Sequence, residues 1–125
     1  MQTNNREIML YYDSKSSPHK KTVAYAQSMV SHVRTFEFSD TPSTGVSWRQ
    51  ILKSMNKHPK ELLNKALPEY QNHIRGREFT MEGWLKILQY NTHLLKAPIA
   101  IRGNKAILCE SPTDIFKLNE VGAEV

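Results

Sequence analysis

The chain predicts a single α/β domain, a central mixed sheet with helices on its flanks and a helical insertion between its halves. Three observations carry that prediction. An apolar run at residues 7 to 12 passes through a short polar loop straight into a helix. A second apolar strand follows that helix. Near the C-terminus two short apolar runs are separated by Gly103-Asn104, a strong two-residue hairpin signal. The 125 residues suffice for one buried core without disulfides or metal, and 39% hydrophobic with 23% charged residues is ordinary for a globular protein. One domain over 1–125 is expected, with flexible ends at 1–6 and 119–125.

Each element has its own local signal. Ser16 or Ser17 caps the first helix, and Pro18 lies in its first turn, where the missing N–H costs nothing. That helix should run to about His32 and bury Val23, Ala26 and Val30. Val33 to Phe38 reads as the second strand, broken by Thr41-Pro42-Ser43-Thr44-Gly45. Trp48, Ile51, Leu52 and Met55 fall at i, i+3, i+4 and i+7, one face of a helix. Pro59 starts a short helix carrying Leu62 and Leu63, Pro68 interrupts it, and residues 70 to 78 read as loop. Thr80 caps the next helix, with Phe79 stapled onto Trp84 and Met81, Trp84, Leu85 and Leu88 on its apolar face. Ser111-Pro112-Thr113-Asp114 opens a final helix with Ile115, Phe116 and Leu118 on its apolar side.

Composition excludes several function classes. Cys109 is the single cysteine, so no intramolecular disulfide forms; the five histidines are scattered, and neither metal nor cofactor is expected. Residues 1 to 6 hold no apolar signal core, and no run approaches the ~18 apolar residues of a membrane span, which makes cytoplasm the default. The net charge is +5, and the cations cluster. Residues 14 to 34 contain Lys15, Lys20, Lys21 and Arg34 without an acid, and residues 41 to 60 contain Arg49, Lys53, Lys57 and Lys60 without one. Solvated lysines account for both runs; an anion-facing surface is the functional alternative. Motifs for sequence-specific nucleic-acid recognition are absent, so nucleic acid is not an expected partner.

The order of elements, with certain residues in register, resembles the small arsenate reductases that use glutathione and glutaredoxin, together with the related Spx-type regulators. The segment Leu94-Leu95-Lys96-Ala97-Pro98-Ile99 through Gly103 is similar to that family's Leu-Leu-x-Arg-Pro-Ile stretch. Lys60-Glu61-Leu62-Leu63 with Pro68-Glu69-Tyr70 is similar to its helix and Pro-x-Tyr turn, and Tyr12 to Thr22 resembles its active loop. The resemblance covers roughly residues 7 to 118 and implies a thioredoxin-like fold, with a cis bond at Ala97–Pro98.

At the family's functional positions the chain departs from the pattern. Ser16 stands where the nucleophilic cysteine belongs. Asn64, Ala97 and Glu110 replace three arginines, and only Lys20 keeps its positive charge. A thiolate at a helix N-terminus is a good nucleophile near neutral pH, whereas a serine hydroxyl needs a dedicated base. The arginines would clamp an oxyanion bidentately; Asn64 offers neutral hydrogen bonds, Ala97 offers none, and Glu110 would repel the anion. A Ser16–His19 nucleophile and base pair lacks an obvious carboxylate to orient it, although Asp13 is close in sequence. Cys109, among apolar residues and beside Glu110, reads as a small buried hydrophobe.

The function expected is therefore a non-catalytic binding or stress-regulatory module with a protein partner. The alternative is a divergent thiol–disulfide oxidoreductase or oxyanion-processing enzyme. The loop residues Ser14, Lys15, Ser16, Ser17, His19 and Lys20 are candidates for weak, millimolar phosphate or sulfate binding, roughly −4 kcal/mol. His19 would add positive charge below about pH 6.5.

Overall fold

Strand β1, Glu7–Tyr12, is buried at four consecutive positions because it runs through the interior of a four-stranded sheet of order β2-β1-β3-β4. The computed structural model describes residues 6–39 and 47–119; the expected flexible termini, apart from Arg6 and Asn119, and the break at 41–45 lie outside them. Strand β2, His32–Glu37, runs parallel to β1 with Ile8 opposite Val33 and Tyr11 opposite Phe36. Strand β3, Ile99–Arg102, is antiparallel to β1, with Met9 opposite Ile101 and Tyr11 opposite Ile99. Strand β4, Lys105–Leu108, closes the hairpin with Arg102 opposite Lys105. Gly103 takes φ +61, the positive value that a tight hairpin turn needs and that a side chain would resist.

Alternation along β1 divides the core in two. Ile8 and Leu10 face Ala26, Ala100, Cys109, Ile115 and Leu118. Met9 and Tyr11 face the larger cluster, where Trp48, Ile51, Leu62, Trp84 and Leu88 come from the helical insertion. Helix α1, Ser17–Met29, covers the first side. It stops short of the expected His32, because the chain turns extended at Val30 and His32 already pairs with Glu7. Thr22 and Ala26 are its buried residues, while Val23 and Val30 are half-buried. Thr22 hides its polarity by donating its hydroxyl to the Pro18 carbonyl at 3.1 Å.

The insertion follows most of its sequence signals. Helix α2, Trp48–Met55, is capped by Ser47 and ends at Asn56 in the left-handed region, φ +54. A 3-10 turn at Pro59–Leu62 is closed by reciprocal bonds between His58 and Glu61. Pro68 does not interrupt a helix; it begins one, helix α3, Pro68–His73, which takes in the start of the expected loop, residues 70 to 73. Tyr70 and Ile74 alone mark its buried face, too short a pattern to register as a period. Helix α4, Met81–Tyr90, starts at Thr80 as expected, and Phe79 meets Trp84 edge-on at 4.8 Å. Met81 leaves the predicted apolar face and is 47% exposed.

The closing element, Pro112–Leu118, is a 3-10 helix rather than an α-helix. Its three-residue period aligns Ile115 with Leu118 in the core and turns Phe116 outward, where it stacks on Tyr25 at 5.1 Å. Among the described residues no helix is long and apolar enough to cross a membrane.

Candidate functional site

Strand β1 delivers the chain to the loop from Asp13 to Ser16, and α1 leaves from it. Ser16 is the N-cap: its Oγ accepts the His19 N–H at 3.3 Å, and its carbonyl accepts the Lys20 N–H at 3.0 Å. The remaining loop amides are also engaged. Asp13 N–H donates to His19 Nδ1 at 3.0 Å, Ser14 N–H to Glu37 Oε2 at 3.2 Å, and Lys15 N–H to Asp13 Oδ1 at 3.0 Å. Ser16 N–H reaches the Asp13 carbonyl at 3.0 Å. Pro18 has no N–H, so Ser17 carries the one amide from Asp13 to Lys20 without a partner among the described residues. Two of the loop's amides are thus held by the protein's own carboxylates, Asp13 and Glu37.

Beside this loop lies a small pocket of about 110 Å³. Ser16, His19, Ala97, Pro98, Cys109 and Glu110 all line it, so the fold brings together five of the residues singled out for a site and adds the buried cysteine. Pro98 is buried, and its carbonyl accepts the Cys109 N–H at 2.8 Å. Glu110 is not a lone negative charge: Lys96 Nζ lies 2.9 Å from its Oε1, and Lys96 lines the same pocket. Lys96 was missed in the sequence because it stands one position before Ala97, where the resemblance gives no cation. A shift by one residue flips the side chain's direction in extended chain, so only the pairing with Glu110 reveals it.

The other candidates do not join the pocket. Asn64 turns inward on its own backbone, its Oδ1 accepting the Ala66 N–H at 3.0 Å while its N–H donates to the Leu94 carbonyl at 2.7 Å. Ser14 is half-buried, and Lys15, Ser17 and Lys20 are exposed along the loop and first turn. Thr92, which carried no sequence signal, is fully buried and donates its hydroxyl to the Phe38 carbonyl, fastening the end of β2 to the insertion.

Burial sets the protonation of both Cys109 and His19. Burial pushes the Cys109 thiol up to about 12, with Asp114 adding to the rise and Lys117 opposing it. Such a thiol is almost wholly protonated near neutral pH. His19 is half-buried, its ring edge-on to Phe38 at 5.5 Å. Burial lowers its pKa below 6.5 despite the opposing pull of Asp13, so the positive charge expected below about pH 6.5 arrives at lower pH. Among the described residues Ser16 Oγ meets His19 only at the backbone, and Asp13 meets the ring through its N–H rather than its carboxylate. A serine–histidine–carboxylate relay is not assembled. No group of three or more His, Cys, Asp or Glu among the described residues is placed to hold a metal ion.

No family model matches the sequence, and no curated protein does. Solved structures do match. The arsenate reductase from Vibrio cholerae superposes with a TM-score of 0.75 at 12% identity, covering 92% of this chain and 99% of that one. A protein from Yersinia pestis provisionally described as an arsenate reductase gives 0.68 at 17% identity, covering 88% and 98%. An arsenate reductase (ArsC) related protein from Brucella melitensis gives 0.58 at 12% identity, covering 92% and 96%. The chain has the thioredoxin-like fold of these arsenate reductase structures.

Proposed function

We propose that this chain descends from the arsenate reductase family and binds rather than catalyses: a cytoplasmic thioredoxin-fold module that acts on a protein partner, as the Spx-type regulators do. The observation that carries this reading is the loop at the head of α1. Its Ser14 and Lys15 amides donate to Glu37 and Asp13, and its Ser16 Oγ accepts the His19 N–H as the helix cap. An oxyanion arriving there would compete with two carboxylates already in place, and no thiolate would meet it. Asn64, Ala97 and Glu110 supply none of the bidentate clamping that arginines give. What remains for phosphate or sulfate is the Ser17 N–H, the serine hydroxyls, the ammonium groups of Lys15 and Lys20, and the dipole of α1, which supports millimolar affinity. Pro98 keeps its structural place beside the loop; the cis geometry expected of Ala97–Pro98 is checked by the difference between the Pro98 Cβ and Cγ carbon shifts.

The test is arsenate reduction coupled to glutathione and glutaredoxin. The expected result is no turnover above the protein-free rate. Turnover that disappears in Ser16→Ala or in Cys109→Ser would overturn the reading and return the chain to the enzymes.

A further inference from the structure

On the helical insertion, away from the α1 loop, a second concavity of about 280 Å³ is lined by His58, Lys60, Arg77, Glu78, Phe79 and Trp84. Its back wall is stiff. Trp84 is 4% exposed and is held by Phe79 at 4.8 Å and by His58 edge-on at 5.4 Å, with Lys60 Nζ 6.0 Å from its ring centre. Its rim carries two cations. Among the described residues no carboxylate pairs with Lys60 or Arg77, and Glu78 has no cation of its own. His58 Nδ1 accepts the Lys60 N–H at 3.1 Å, which leaves Nε2 as the protonated, donating nitrogen of the neutral ring.

We infer that this cleft is a binding site for a small phosphate monoester carried on a hydroxylated body, a pentose phosphate or the ribose phosphate of a nucleotide. The guanidinium of Arg77 and the ammonium of Lys60 match a dianionic phosphate, and His58 Nε2–H adds a third donor. Glu78, exposed on the same rim, repels a bare anion, whereas vicinal hydroxyls would donate to its carboxylate and offset that repulsion. The volume falls near the lower end of small-molecule sites, too roomy for phosphate alone and too small for a large ligand. Phe79, half-buried, offers an apolar face for a sugar or a base. The proposal stands on residues that share nothing with the α1 loop, so it survives or fails independently of the function proposed above.

The experiment is an NMR titration of the full chain, following the Trp84 indole N–H and the amides of residues 77–79. Ribose 5-phosphate is expected to shift them saturably, with a Kd of about 0.1–1 mM. Lys60→Gln and Arg77→Gln should each weaken it at least about fivefold, with unchanged spectra elsewhere reporting an intact fold. Ribose should leave the resonances still, and inorganic phosphate should bind at least about tenfold more weakly. Glu78→Gln should weaken ribose 5-phosphate but not inorganic phosphate. An AMP arm separates the sources: tighter binding than ribose 5-phosphate assigns nucleotides, weaker binding assigns sugar phosphates, and either supports the shared chemistry. No shift at 10 mM ribose 5-phosphate, an undiminished shift in the Lys60→Gln/Arg77→Gln double variant, or phosphate binding as tightly as its ester would overturn the proposal.

Discussion

The loop at the head of α1 and the cleft around Trp84 start from similar materials and end in opposite states. Both place lysines near a helix start, and both have a histidine whose Nδ1 accepts a backbone N–H. In the loop, the protein's own groups occupy nearly every backbone amide, with Asp13 and Glu37 seated on two of them and Lys96 paired to Glu110. In the cleft, Lys60 and Arg77 pair with no carboxylate among the described residues, although Glu78 lines the same opening. Position at a helix N-terminus does not by itself make an anion site. What counts is which donors remain unsatisfied once the chain has folded.

The largest effect that sharpens this contrast is on stability. Trp84 joins the main core to the cleft wall, so Trp84→Ala should cost about 3–5 kcal/mol in denaturant unfolding. Ser16→Ala removes only an N-cap and should cost about 1 kcal/mol. Equal losses would mean that the loop is built into the core as firmly as the cleft wall.

Cys109 gives the next test, because it lines the loop pocket. With its thiol pushed up to about 12, only about one molecule in ten thousand carries the thiolate at pH 8. Buried as well, the thiol should react with iodoacetamide only through rare opening of the fold, far more slowly than a free thiol, and labelling of the native protein within minutes would contradict the burial of Cys109.

A smaller effect tests the occupied amides. Asp13→Asn combined with Glu37→Gln removes both carboxylates from the loop while keeping hydrogen-bonding shape. Phosphate affinity, read from the amides of residues 14 to 20, should rise about fivefold. An unchanged affinity would show that the carboxylates do not compete with the anion.

The smallest effect is in pH. Burial holds the folded-state pKa of His19 below its unfolded value of 6.5, so the unfolded chain binds a proton first. The neutral ring's contribution is complete above 6.5, is lost progressively as pH falls from there, and stops changing once the folded ring also protonates. His19→Gln should remove that portion of the acid-side slope in chemical denaturation.

The sequence made the fold legible wherever local chemistry was strong. The Gly103-Asn104 hairpin, the Ser16 and Thr80 caps and the Phe79–Trp84 staple all act within a few residues of themselves. It failed where tertiary packing chose among local options. Pro68 fits both a break and a first helical turn, and only burial of Tyr70 and Ile74 selects the helix. Phe116 looked like core because an α-helical period places it there, whereas the 3-10 period turns it out. Of the positions the resemblance singled out, Ser16, Ala97, Pro98 and Glu110 line one pocket and Asn64 does not. The parts that decide its chemistry were not legible: Glu37 reaching Ser14 across 23 positions, and Lys96 meeting Glu110, are contacts made only by folding.

Ser16→Cys is the measurement that tests the central claim most directly, because it restores the nucleophile and nothing else. The new thiol sits at the N-cap of α1, and its pKa, followed by thiolate absorbance, should fall below the ordinary value of about 8.5. Arsenate turnover with glutathione and glutaredoxin should nevertheless stay at the protein-free rate, because Asp13 and Glu37 still hold two of the loop amides and none of the described residues lining the pocket is an arginine. Arsenate reduction by Ser16→Cys well above that background would contradict the account, and would mean that a working oxyanion site survives in this chain with only its sulfur removed.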